Sequence, residues 1–165
     1  MLYVVALPTL GEADDTVLRR PRAQYHPREA DLIGPHFTLV FGAPPEDEAA
    51  LRAILEGIER RPFWFVLERL VRHDLPPPTR GAYLYATPAD GATELVELHE
   101  TFNPSGSGEP IEPHMTLGLF DRAAEAEQVA RIVERQHLPM HGRVEELALL
   151  RRTTDGLETL RSVRL

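Results

Sequence analysis

The chain has no cysteine and no lysine. Without cysteine there is no disulfide, no thiolate nucleophile and no Cys-based zinc site. All 18 basic residues are arginine, set against 26 carboxylates, for a net charge of −8. Proteins that grip long duplex nucleic acid displace counterions with a broad positive surface. This balance argues against that class and leaves room only for a local cationic pocket. The exclusive use of arginine is read as the coding bias of a GC-rich sequence. Long apolar runs are missing too: nothing approaches the roughly 18 residues of a membrane span. The opening stretch Met1–Pro8 lacks a basic n-region and is too short for a secretory h-region. The expectation is a cytoplasmic, monomeric protein with no membrane partner.

What is present fits one folded domain over residues 1–165, with 42% apolar and 27% charged residues. Leu2–Leu7 is a β-rich run stopped by Pro8. Residues 11–25 have partial helical character, interrupted by Pro21 and Pro27. A strand follows over about 36–41. Next comes a helix opened by Glu46-Asp47-Glu48, with Leu51, Ile54, Leu55 and Ile58 on one face. Phe63–Val71 is a strand, mostly core, in which one ring of Phe63-Trp64-Phe65 is available as a stacking platform. His73–Gly81, with three prolines, is a loop.

The order then restarts: strand 82–86, helix 93–102, a loop containing Gly106-Ser107-Gly108, and a second strand at 114–120. Asp121 is the predicted N-cap of a helix whose face is Val129, Ile132 and Val133. Strands 143–152 and 157–163, joined through Thr154-Asp155-Gly156, end the chain. Residues 1–71 and 81–152 therefore each read β-α-β-α-β. The predicted fold class is α+β and bilobal: duplicated halves, antiparallel or mixed sheets facing a central cleft, helices outside.

The two restarts share a phrase. Pro35-His36-Phe37-Thr38-Leu39 returns as Pro113-His114-Met115-Thr116-Leu117. On a strand, alternate side chains point to opposite faces, so His36 shares a face with Thr38, and His114 with Thr116. Two imidazoles can divide general base and general acid duties near neutral pH. Hydroxyls beside them can donate to phosphate oxygens where charge builds up. Such a site needs no metal or other cofactor. The remaining histidines, His26, His73, His99, His137 and His141, lack this context. His137 and His141 are four apart, but Pro139 between them breaks the helix a metal pair would need.

A repeated His-x-Thr-hydrophobic strand, in a chain whose element order is itself duplicated, resembles the two-histidine (2H) phosphoesterases, which include 2′-5′ RNA ligase-like proteins and cyclic phosphodiesterases. The resemblance rests on His36, Thr38, His114 and Thr116 and extends, through element order, over nearly the whole chain. It implies a bilobal fold with a central cleft and hydrolysis of a 2′,3′-cyclic phosphate or related 2′-linked diester. The histidines would be catalytic and the threonines would contact phosphate. The acidic balance points to a nucleotide or short RNA end as the substrate. Tyr25, Arg80, Arg122 and Arg152 stand beside predicted cleft elements and are candidate substrate contacts. Of Arg151 and Arg152, neighbours on a strand, only one can reach a cleft. A non-catalytic nucleotide- or RNA-end-binding module of the same fold and a metal hydrolase built on the two histidines are the alternatives. The sequence leaves open which histidine is the base.

Overall fold

Every strand pairing in the computed structural model, which describes residues 1–103 and 111–165, is antiparallel. The predicted Gly106-Ser107-Gly108 loop lies outside the described residues. The first half contributes β1 (Leu2–Leu10), α1 (Glu12–Tyr25), α2 (Pro27–Leu32), β2 (Phe37–Ala43), α3 (Glu48–Glu56) and β3 (Phe63–Asp74). The second contributes β4 (Ala82–Pro88), α4 (Ala92–Phe102), β5 (Met115–Phe120), α5 (Ala123–Gln136) and β6 (Met140–Arg152), followed by β7 (Leu157–Arg164). No helix among the described residues is long and apolar enough to cross a membrane.

The lobes are parts of one seven-stranded sheet in the order β2-β1-β6-β3-β4-β5, with β7 also pairing β6. The sheet does not divide where the sequence repeats. The last strand of each half crosses over: β6 lies against β1, and β3 lies against β4. β3 and β6 meet each other only over Phe63–Leu67 and Met140–Val144. Beyond that crossing β6 continues between β1 and β7, while β3 continues along β4. The helices cross over in the same way, with α1 packed on β5 and α4 on β2. Each lobe is thus completed by elements of the other half, which ties the two together.

The alternation read from sequence sets the faces. Phe37, Leu39, Met115 and Leu117 are buried in the main core beneath the helices, with Leu84, Leu95, Leu98 and Phe102. Val5, Ala148 and Leu150 form a separate apolar cluster, with Tyr3, Leu7, Ile33 and Leu157 packed on it. Three local expectations change. Pro21 does not interrupt α1, because burying Leu18, Pro21 and Arg22 on its inner face offsets a cost of about 3 kcal/mol for an interior proline. Pro27, as expected, does break the pattern: α1 ends at Tyr25, and Pro27 opens α2 at a position where no N–H is needed. His73 and Asp74 belong to β3, where they pair with Tyr83 and Ala82. The N-cap of α5 is Arg122, not Asp121, and the helix buries Ala126 and Val133 while Ile132 is exposed.

Candidate active site

Proline before each histidine, and strand pairing after it, hold the imidazoles at the entrances to β2 and β5. The His36 ring reaches back, Nδ1 donating to the Gly34 carbonyl at 2.8 Å. His114 repeats the contact, its Nδ1 donating to the Glu112 carbonyl at 2.8 Å. A carbonyl can only accept, so both rings carry a proton on Nδ1. In the neutral tautomer this leaves Nε2 as the lone-pair atom. The repeated phrase thus specifies ring orientation and tautomer as well as position.

The threonines are repeated in backbone detail as well. On β2 Thr38 lies opposite Val5 and Val40 opposite Val4, so Leu39 is an extra residue. On β5 Thr116 lies opposite Tyr85 and Gly118 opposite Leu84, so Leu117 is an extra residue. Both strands bulge immediately after the threonine. Bulges re-aim side chains and are common beside active sites. His36, Thr38, His114 and Thr116 are all half-buried, on the face opposite the fully buried Phe37 and Met115.

In strand order β2 and β5 are the two ends of the main path, β7 being a further edge beside β6, yet the site draws β2 and β5 together. Arg22, only 2% exposed, donates from Nη1 to the Thr116 carbonyl at 2.8 Å and from Nη2 to the Ile33 carbonyl at 3.0 Å. One guanidinium therefore joins β5 to the segment leading into His36. The charge of His114 is felt at His36. Burial is the main reason that the His36 pKa falls to about 4, and Arg22 and His114 reinforce it. The Gly34 carbonyl and Glu29 oppose it. His36 is therefore neutral at pH 7.

The β4 side adds aromatic surface. Ala82, Leu84 and Ala86 point into the core, so Tyr83 and Tyr85 point the other way. Their rings stack at 5.6 Å, and Tyr85 lies 4.1 Å from the His114 ring. His73 is 6.4 Å beyond Tyr85, and His26 is 6.3 Å from Tyr83. The period-two pattern of Ala82-Tyr83-Leu84-Tyr85-Ala86 carried this signal, but as an apolar run it reads simply as core. Nothing in the sequence signals Arg22 or Glu29, whose roles depend on tertiary contact.

The four other candidates separate. Tyr25 stacks on Phe120 at 4.1 Å with its Cβ against the Gly118 backbone, so it packs under α1 on the helix-covered side of β5. Arg122 is exposed and paired with Glu125. Arg80 is exposed, and its carbonyl accepts the Ala123 N–H at 3.0 Å, starting α5. Arg152 donates twice to Glu29, at 3.1 and 3.0 Å, and so joins the charges around His36. Arg151 turns away to Glu48 and Glu158, as alternation requires. Phe65 is core, while Trp64 is exposed with the Arg143 guanidinium 5.6 Å from its ring centroid. His99 is not a free surface group: its Nδ1 donates to the Leu39 carbonyl at 2.8 Å. Among the described residues no three His, Asp or Glu side chains converge as metal ligands do.

An antiparallel sheet folded about a crossover, with a His-x-Thr pair at each edge, defines the class of two-histidine phosphoesterases. Residues 10–156 match the 2′-5′ RNA ligase superfamily, and the chain belongs to that family. No curated protein gives a significant match. Among solved structures, TT0787 of Thermus thermophilus superposes with a TM-score of 0.63 at 18% identity, covering 99% of this chain and 97% of that one. E. coli LigT complexed with 3′-AMP gives 0.59 at 21% identity, covering 99% and 97%. Kluyveromyces marxianus Usb1 with uridine monophosphate gives 0.56 at 10% identity, covering 96% and 97%. At these identities the likeness is one of fold.

Proposed function

We propose that the protein is a metal-independent phosphoesterase that hydrolyses a 2′,3′-cyclic phosphate, or a related 2′-linked phosphodiester, on a nucleotide or short RNA end. The observation that carries this reading is the duplicated histidine geometry. Each imidazole is held through Nδ1 by the carbonyl two residues earlier, and a threonine follows on the same face before a bulge. His36, neutral at pH 7 because burial lowers its pKa to about 4, takes the base role. Its Nε2 accepts a proton from water, and the water oxygen bonds to phosphorus. The bond from phosphorus to one ribose oxygen breaks. His114, which the acid role requires to enter as the imidazolium with both ring nitrogens protonated, gives its Nε2 proton to that oxygen and is left neutral, and a phosphomonoester leaves. Thr38 and Thr116 donate to the non-bridging oxygens as charge builds on them.

The surroundings support a small substrate. Tyr85, against His114, and Tyr83 beside it offer a stacking face for a base; such contacts contribute about 1–3 kcal/mol. Arg152 and Arg69 are already paired, with Glu29 and Glu112, and do not form an open basic track. LigT and Usb1, which share the fold, have been crystallised with mononucleotides, in keeping with this size of ligand.

The test is turnover of 2′,3′-cyclic nucleotides in excess EDTA, with His36→Ala and His114→Ala compared. Activity should persist in EDTA and fall at least about 10²-fold in each variant. Binding without turnover would make the protein a nucleotide-binding module, and loss of activity in EDTA would make it a metal enzyme.

A further inference from the structure

We propose that Arg22 is a positioning residue for both histidine strands: its guanidinium, bridging the Thr116 carbonyl of β5 and the Ile33 carbonyl ahead of β2, sets the separation of the sheet's two edges at the site. Through the sheet, β2 and β5 are joined only by way of β1, β6, β3 and β4. Small changes of twist accumulate along that route. Arg22 is a direct link across it, at 2.8 and 3.0 Å.

The chemistry of the contact favours a spacer role. Arg22 is 2% exposed and both of its hydrogen-bond partners are neutral carbonyls, so it bears a desolvation cost that no bound carboxylate repays. Burial is also the main cause lowering its pKa, with Glu29 opposing. An apolar side chain would pack there without that cost, but it could not join two carbonyls. Lysine has one rotating ammonium, whereas the guanidinium holds two nitrogens in a fixed plane. The other bulge is held differently. The Leu39 carbonyl accepts from His99 Nδ1 at 2.8 Å and Asn103 Nδ2 at 3.4 Å, at the end of α4. Both bulges are therefore secured by a helix from the opposite half. Arg22 alone of these three side chains also contacts the approach to the other histidine strand.

The charged groups facing His36 are Arg22 from α1, Glu29 from α2, itself paired with Arg152 of β6, and His114 ahead of β5. Only the catalytic consequence of the bridge rests on the phosphoesterase reading, so the test has two readouts in the full-length chain. NMR follows the His36 titration and amide exchange at residues 34–38 and 114–118, and kinetics follow 2′,3′-cyclic nucleotide turnover. Arg22→Met should raise the His36 pKa and speed exchange in both segments while leaving β3 and β6 protected. It should lower kcat roughly 10²-fold, the scale of a small misplacement of reacting groups, with KM little changed. Arg22→Lys, which keeps the charge without the fork, should lose kcat nearly as far while holding the His36 titration near its original value. Unchanged exchange in both variants, or full rescue by lysine, overturns the proposal. Should both variants unfold, the Arg22 Nη protons of the unsubstituted chain decide it: separate, slowly rotating signals uphold the bridge and a single averaged signal overturns it. The NMR changes in a chain that shows no turnover uphold the bridge and overturn only the phosphoesterase reading.

Discussion

The two edges of the sheet use the same five-residue phrase in different settings. Around β2 the face shared with Thr38 is aliphatic opposite the threonine, where Val5 clusters with Leu150 and Ile33, while its aromatic pair, Tyr3 edge-on to Phe41 at 5.3 Å, sits two residues further along β1. Around β5 it is aromatic, with Tyr85 opposite Thr116 and against His114. Ring tether, bulge position and threonine placement are common to both. The Arg–Glu pair beside each histidine is also common: Glu29 with Arg152 near His36, and Glu112 with Arg69 near His114. On the proposed mechanism, what the edges share is what phosphoryl chemistry uses twice, namely a proton carrier and a hydroxyl. What differs is what a single asymmetric ligand needs once. On this reading the chemistry is twofold and the binding one-sided.

Substituting the threonines probes the shared part and has the largest expected effect. Thr38→Val and Thr116→Val keep shape and strand preference but lose the donor. Each should lower kcat by roughly 10²-fold, the low end for removing one preorganised donor, with KM little changed. Loss in only one variant, seen in steady-state kinetics, would break the symmetry of the chemical half. Tyr85→Leu probes the unshared part. It should raise KM about tenfold while leaving kcat within a few-fold, because stacking contributes to ground and transition states alike. Val5→Ala, at the matching position of the other edge, should leave KM near its original value. Equal KM effects from the two would show that the binding is not one-sided.

Much of this was legible in the sequence, and the limits have physical causes. His36, Thr38, His114 and Thr116 carry a local signal because a strand's period of two and a repeated context survive without tertiary knowledge. The faces of β2 and β5 followed from the same alternation. The exchange of β3 and β6 between the lobes did not, since identical element order fits either pairing and only long-range partners decide. Arg22 was hidden for a similar reason. A helical arginine reads as solvated surface until two distant carbonyls are placed beside it. Tyr25 was misdirected by nearness in sequence: at the end of α1 its ring turns onto Phe120, beneath the helix.

The smallest expected effect concerns protonation at one edge, that of His36. His36 has a folded pKa lowered to about 4, chiefly by burial, against a reference near 6.5. Between those values the unfolded chain binds a proton that the folded chain does not. Stability therefore rises with pH across this window, and is lost as pH falls from about 6.5 towards 4. Half-burial moderates the size of the effect. Denaturant midpoints measured from pH 7 to pH 4 should fall less steeply in His36→Gln than in the unsubstituted chain. On the proposed mechanism the same burial places the acidic limb of kcat/KM well below pH 6, because protonating His36 would remove the base. A limb near 6.5, or an acid-stability slope that His36→Gln leaves unchanged, would overturn the base role of His36.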